Sequence, residues 1–157
     1  MGCAQAATSA VGTDALLAWR LAGAGGPNLP CGQALTVAGE TELVGLLESR
    51  AADYVLLHRS TAERHHLKVT ELDPRINLSR LELADAYQQA AVAERRGQPI
   101  ACALAIPDAA VNPDGARLLA AALVSEHGRK ALLRSGYRPV DPPISTVRSL
   151  AQKRPTP

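Results

Sequence analysis

The sequence predicts a layered α/β fold with mainly parallel strands. Short apolar runs of strand character, at 54–57 and 99–106, alternate with helix-like amphipathic segments at 41–49 and 113–124, the order in which a parallel sheet collects its covering helices. A chain of 157 residues can bury one sizeable core and is short for two. With 46% hydrophobic and 20% charged residues, its composition is that of a folded globular protein and not of a disordered one. Phenylalanine is absent, so Leu, Ala, Val and Ile must fill the core, with Trp19, Tyr54, Tyr87 and Tyr137 as the large rings.

Residues 12–22 read as a helix, with Thr13 or Asp14 as N-cap, Leu16, Leu17, Trp19, Arg20 and Leu21 crowding one side, and the run GAGGP as its stop. Proline and glycine make 27–38 a loop with a short strand near 35–37. In the next helix, 41–49, Leu43, Val44, Leu46 and Leu47 form the buried stripe, with Glu40, Glu42 and Glu48 outside. Glu40 suits the positive end of that helix dipole.

The chain then enters the strand at 54–57 and passes into Ser60-Thr61-Ala62-Glu63, whose serine-to-glutamate spacing predicts a capping box with Ser60 as N-cap. A strand that delivers the chain into a helix start presents free N–H groups, for which an anion is the natural tenant. Residues 67–72 alternate as a second strand, and Asp73-Pro74 opens a turn. The segment LADAYQQAAVAE at 83–94 favours helix by propensity. Residues 99–106 read as a buried-type strand, 113–124 as a helix, and 125–135 as another helix stopped by Gly136. Beyond Pro143 the chain is polar and proline-containing, a frayed tail. No internal repeat is present.

The stretch DYVLLHRSTAERHHLKVTELDPRINLS closely resembles the molybdate/tungstate-binding proteins that serve ABC importers, above all their tungstate-type branch. Upstream, ALLAWRLAG and AGETELVGLLESRAADYV are similar to the helices that precede the same strand in that family. Downstream, GQPIACALAIPDAAVNPDGARLLAAALVSEHGRKALLRSGYRPVDPP is similar to its closing sequence, which is shared by many solute-binding proteins. The resemblance spans residues 15–143. It implies a periplasmic-binding-protein-like (type II) three-layer sheet with helices on both faces, present as an incomplete two-lobed clamp. Residues 1–11 would then be an N-terminal extension, 12–143 the end of the second lobe and the returning part of the first, and 144–157 the tail. The family places strand-like pairing near 83–94, against the helical propensity there.

The implied function is that of the oxyanion-binding component of an importer, in partial form, with a permease as partner and no cofactor; the expected location is periplasmic or extracytoplasmic by resemblance, and cytoplasmic if the chain is complete. The alternative is a non-enzymatic regulatory or interaction domain that keeps the fold without the ligand. Ser60, Arg59, Tyr87 and Ser9 are the candidate ligand-binding positions by this resemblance. Ser60 and Arg59 match the family's Arg-Ser pair, and Tyr87 falls near a tyrosine that follows INLS. Aligned without gaps, a family aspartate falls on Ser9, a glutamate on Leu57, and a tyrosine on His58. Both carboxylates are thus replaced unless Asp14 substitutes, and the family's opening serine loops have no counterpart, so an impaired site is expected. Arg50 stands where the family carries a helix-ending glycine. Elements without their usual neighbours should leave apolar surface open to self-association.

Other chemistries find little support. The basic cluster His58, Arg59, Arg64, His65, His66 and Lys68 reads as a solvated face. Neighbouring His65 and His66 cannot share one ion from the same helix face, and no aromatic residues interleave the cluster for nucleic acid. A formal charge of +2 is too small for a nucleic-acid face. Neither a GxSxG elbow nor a glycine-rich phosphate loop occurs. Cys3, Cys31 and Cys102 show no metal-ligand spacing, permit at most one disulfide, and read as ordinary small residues. The opening MGCAQAATSAVG lacks the charged and apolar regions of a signal peptide.

Overall fold

The computed structural model describes residues 1–6, 9–24, 35–140 and 143. The chain forms two compact units, Met1–Ala105 and a second that begins at Ile106.

In the first unit β1 (Cys3–Ala4) pairs in parallel with β2 (Thr36–Val37), in the register Cys3↔Thr36 and Ala4↔Val37. On its other side Gly2 forms a parallel bridge with Val55, donating its N–H to the Tyr54 carbonyl at 3.0 Å. The residues expected as an N-terminal extension therefore carry the middle line of the parallel sheet. The strand expected at 54–57 is reduced to that bridge. The short strand expected near 35–37 is present.

Helix α1 (Ala10–Leu21) begins two residues before its expected start, because Ser9 and not Thr13 or Asp14 is the N-cap. The Ser9 hydroxyl accepts the Gly12 N–H at 3.5 Å. Thr13 is buried inside the first turns, its hydroxyl donating to the Ala6 and Ser9 carbonyls at 2.7 and 3.0 Å. Gly12 allows the exit of β1 to cross the helix here, since a Cβ would lie 2.5 Å from the Gln5 carbonyl oxygen. Helix α2 (Glu40–Glu48) buries Leu43 and Val44, and Arg50 leaves it with φ +59°, the left-handed turn that glycine makes without strain.

Two apolar clusters form the core of this unit. Ala4, Val11 and Leu43 pack with Val37, Leu46, Val55 and Leu57 under the parallel strands. Leu17, Leu78, Tyr87 and Ala90 pack with Leu21, Leu83 and Val92 on the other side of α1. The second cluster overrides local propensity at 83–94. A 3₁₀ turn (Leu81–Leu83) runs into α4 (Ala84–Tyr87), which stops once the Tyr87 ring is buried. The remainder becomes an antiparallel hairpin of β3 (Ala91–Val92) and β4 (Arg95–Arg96). Gly97 is required beside it, because a Cβ there would meet the Tyr87 carbonyl oxygen.

Two expected strands do not form. Residues 67–72 carry no ladder, and Val69 and Leu72 are exposed. Residues 99–106 were expected to be a buried-type strand, yet they form no ladder among the described residues, and the Ile100 N–H donates to the Leu78 carbonyl at 2.8 Å. Ile100 is 45% and Leu104 54% exposed. Alternation can bury a strand only where a neighbour covers its apolar face, and none does so here among the described residues. The Asp73 turn forms as expected, closed by the Ile76 N–H on the Asp73 carbonyl at 2.9 Å. The class is mixed α/β, and the sheets among the described residues are two-stranded.

The second unit holds α5 (Pro113–Val124) and α6 (Glu126–Arg134), both as expected. Asn112 caps α5 by accepting the Gly115 N–H at 2.9 Å, and Ser125 caps α6 by accepting the Gly128 N–H at 3.2 Å. Gly136 follows α6 at φ +79°. The tail expected at 144–157, the loop at 27–34, and Cys31 lie outside the described residues. Cys102 is exposed with a free thiol. Cys3 is buried and disulfide-bonded, against the expectation of an unbridged small residue.

Candidate functional site

The turn from the Val55 bridge into helix α3 (Arg59–Arg64) is the place that the sequence marks for an anion. Its N-cap is His58, whose carbonyl accepts the Thr61 and Ala62 N–H groups at 3.1 and 3.2 Å. Ser60 is therefore the second residue of the helix, and the expected capping box does not form. In a capping box the glutamate three residues into the helix takes the cap's own N–H. Here Glu40, from the start of α2, takes it instead: its carboxylate accepts the His58 N–H at 2.9 Å and the Thr61 hydroxyl at 2.5 Å. Glu63 turns to Arg59 at 3.3 Å.

The His58 ring extends this junction to α1. One nitrogen, Nδ1, lies 2.9 Å from Glu40 Oε1, and the other, Nε2, 3.1 Å from Asp14 Oδ2. Hydrogen bonds to Asp14 and Glu40 outweigh partial burial and raise the imidazole from 6.5 to about 9. Burial would push the Glu40 carboxyl up, but hydrogen bonds from His58 and Thr61 reverse this and hold it at about 2. His58 is thus a cation that joins α1, α2 and α3. Two carboxylates around one imidazolium leave the junction with net negative charge.

The four positions singled out by resemblance are placed as follows. Ser60 is half-buried in the first turn of α3, and its hydroxyl has no hydrogen bond among the described residues. Arg59 gives Nη1 to Glu71 at 2.5 Å and Nη2 to Glu63 at 3.3 Å, while its buried Nε has no partner. Tyr87 is fully buried; its hydroxyl donates to the Pro74 carbonyl at 2.5 Å and accepts the Arg80 N–H at 3.2 Å. Ser9 caps α1.

Sequence reasoning missed the Asp14–His58–Glu40 junction. Glu40 had a sufficient local role at its helix start, and His58 was grouped with the basic cluster. Its partners lie 44 and 18 residues away, a separation that no short motif reports.

Asp14 also borders an open cleft of about 590 Å³ between α1 and the segment from β4 to Ala101. Arg95, Arg96 and Gln98 supply its polar wall, and Leu17, Pro99 and Ile100 part of its apolar one. Among the described residues no cluster of three or more His, Cys, Asp or Glu is arranged to hold a metal ion. No helix among them is long and apolar enough to cross a membrane.

A small parallel sheet flanked by helices, with a strand-to-helix turn at its end, is consistent with a solute-binding protein. Residues 1–138 match the sequence profile of the bacterial extracellular solute-binding proteins, and the chain belongs to that family. An uncharacterized solute-binding protein of Petrotoga mobilis is 32% identical over 114 residues, covering 66% of this chain and 36% of that protein. The molybdate/tungstate-binding proteins WtpA of Thermococcus kodakarensis and Pyrococcus abyssi are each 30% identical over 112 residues. These alignments cover 68% of this chain and 32% and 33% of the two proteins. The chain thus spans about a third of the length of these relatives.

Proposed function

We propose that this chain forms part of the binding wall for a molybdate- or tungstate-class oxyanion in the solute-binding component of an ABC importer. The role is non-enzymatic, the permease is the partner, and the fold is that of a type II two-lobed clamp. The observation that carries the reading is the similarity to the two molybdate/tungstate-binding relatives over two thirds of this chain, together with the placement of Arg59 and Ser60 in the first turn of α3. The disulfide at Cys3 fits an extracytoplasmic, oxidising compartment.

The same geometry argues for weak binding. Glu63 and Glu71 neutralise Arg59, the Tyr87 hydroxyl is saturated by Pro74 and Arg80, and Ser9 serves as a helix cap. Ser60 remains as a donor, beside a junction of net negative charge that repels an anion. Titration calorimetry with tungstate should give a dissociation constant weaker than micromolar, less than about 8 kcal/mol of binding free energy. Submicromolar binding would overturn the impaired site. Specific observations also favour the second reading, an interaction domain without a ligand: Tyr87, Ser9 and the Arg59 charge are engaged within the fold, and Ile100 and Leu104 are uncovered. Absence of any saturable heat with millimolar tungstate selects it.

A further inference from the structure

The cleft beside α1 carries chemistry that the oxyanion reading does not use. Arg95 and Arg96 both line it, on a two-residue strand fixed by its pairing with Ala91 and Val92. Among the described residues neither guanidinium has a carboxylate partner. This sets them apart from Arg59, Arg75 and Arg117, each of which is ion-paired. Two carboxylates also border the cleft, but Asp14 is already engaged by His58, which leaves Glu94 as the opposing charge. A guanidinium suits a carboxylate, whose two oxygens match its fork; consecutive on the strand, Arg95 and Arg96 leave it in opposite directions and meet the cleft from its two sides. Gln98 adds an amide beside it.

Size and lining narrow the class further. A volume of about 590 Å³ falls within the range of roughly 300–1,000 Å³ typical of small-molecule pockets, and a bare tetrahedral oxyanion would leave most of it to water. The remaining wall is apolar, from Leu17, Pro99, Ile100 and Ala101. We infer that the cleft between α1 and β4 is a binding site for a small amphipathic carboxylate, with its charge on Arg95 and Arg96 and its hydrocarbon body against Leu17 and Ile100. The inference does not rest on oxyanion binding at α3, because the two places share none of their proposed ligand-contacting residues.

The test is an NMR titration of the full chain with hexanoate as probe, reading the arginine side-chain N–H and the leucine and isoleucine methyl signals. Saturable shifts at Arg95, Arg96, Leu17 and Ile100 are expected. Acetate, which lacks the hydrocarbon body, should bind more weakly by about tenfold or more. The double variant Arg95→Gln, Arg96→Gln should weaken hexanoate by at least about tenfold, with a circular dichroism spectrum that matches the parent. No saturable shift at millimolar hexanoate overturns the site. So does equal binding of hexanoate by the double variant, or equal binding of uncharged hexanol by the parent. Tungstate that shifted the same Arg95–Ile100 set would merge the two places and overturn a separate cleft, whereas failure of tungstate to bind anywhere leaves the hexanoate result to stand alone.

Discussion

Replacing His58 by glutamine should remove a pH-dependent share of the stability of the first unit. The imidazole rises from 6.5 to about 9 in the folded chain, and at about 1.4 kcal/mol per tenfold this corresponds to at most ~3.4 kcal/mol. The His58 side chain is 31% exposed and its carboxylate partners are 18% and 26% exposed, so solvent screening reduces the contribution to about 2 kcal/mol. Because the folded value lies above the unfolded one, this stabilisation is complete below pH 6.5 and is lost as pH rises through about 9. Glu40 reports the same contact from the other side: its carboxyl is held at about 2 instead of 4.5, so its share is present above pH 4.5 and lost as pH falls through about 2. The two values describe one interaction and are not added.

Urea unfolding followed by the fluorescence of Trp19, the single tryptophan, reads this unit directly. Just below pH 6.5, His58→Gln should be less stable than the parent by about 2 kcal/mol, and above pH 9 the two should converge. Comparison with the variant cancels whatever else titrates in the window. A difference that stays constant across that range, or a parent whose stability does not fall between the two pH values, would refute the assignment of His58 as a cation shared by Asp14 and Glu40.

Tyr87→Phe leaves the Pro74 carbonyl and the Arg80 N–H without their partner and should cost about 1–3 kcal/mol in the same urea assay; an unchanged midpoint would mean that water replaces the hydroxyl. Arg50→Gly removes a side chain from a left-handed turn at φ +59° and should stabilise the chain by up to about 1 kcal/mol, less the entropy that glycine returns to the unfolded state. A destabilised variant would point to contacts of the Arg50 side chain that outweigh the strain. The uncovered Ile100 and Leu104, on a segment without a strand ladder among the described residues, should drive self-association, visible as a rise in mass across a concentration series in sedimentation. A strict monomer would show that this surface is tolerated as it stands.

What the sequence determined by itself was set by neighbours a few residues apart. Helices α5 and α6 lie where the sequence places them, and their caps are local: Asn112 and Ser125, the latter expected as the first helical residue, each accept the N–H of a glycine three residues on. The left-handed exits at Arg50 and Gly136 follow from helix ends. Membership of the solute-binding family is also legible in the sequence, as a match that runs over residues 1–138.

Tertiary structure decided the rest, wherever the partner lies far along the chain. Residues 83–94 have helical propensity, but burial of Tyr87 and packing of Ala90 and Val92 against α1 turn their last residues, from Ala91, into a hairpin with Arg95 and Arg96. Residues 99–106 have the pattern of a buried strand, yet a strand is completed by a neighbour and the pattern cannot supply one. Ser60 lost its cap role to a two-residue shift, to His58, made favourable by Glu40, which satisfies the His58 N–H from another helix. The imidazolium between Asp14 and Glu40 exists only once α1, α2 and α3 have met. Its charge is a property of three elements brought into contact, and a linear pattern records none of the distances that create it.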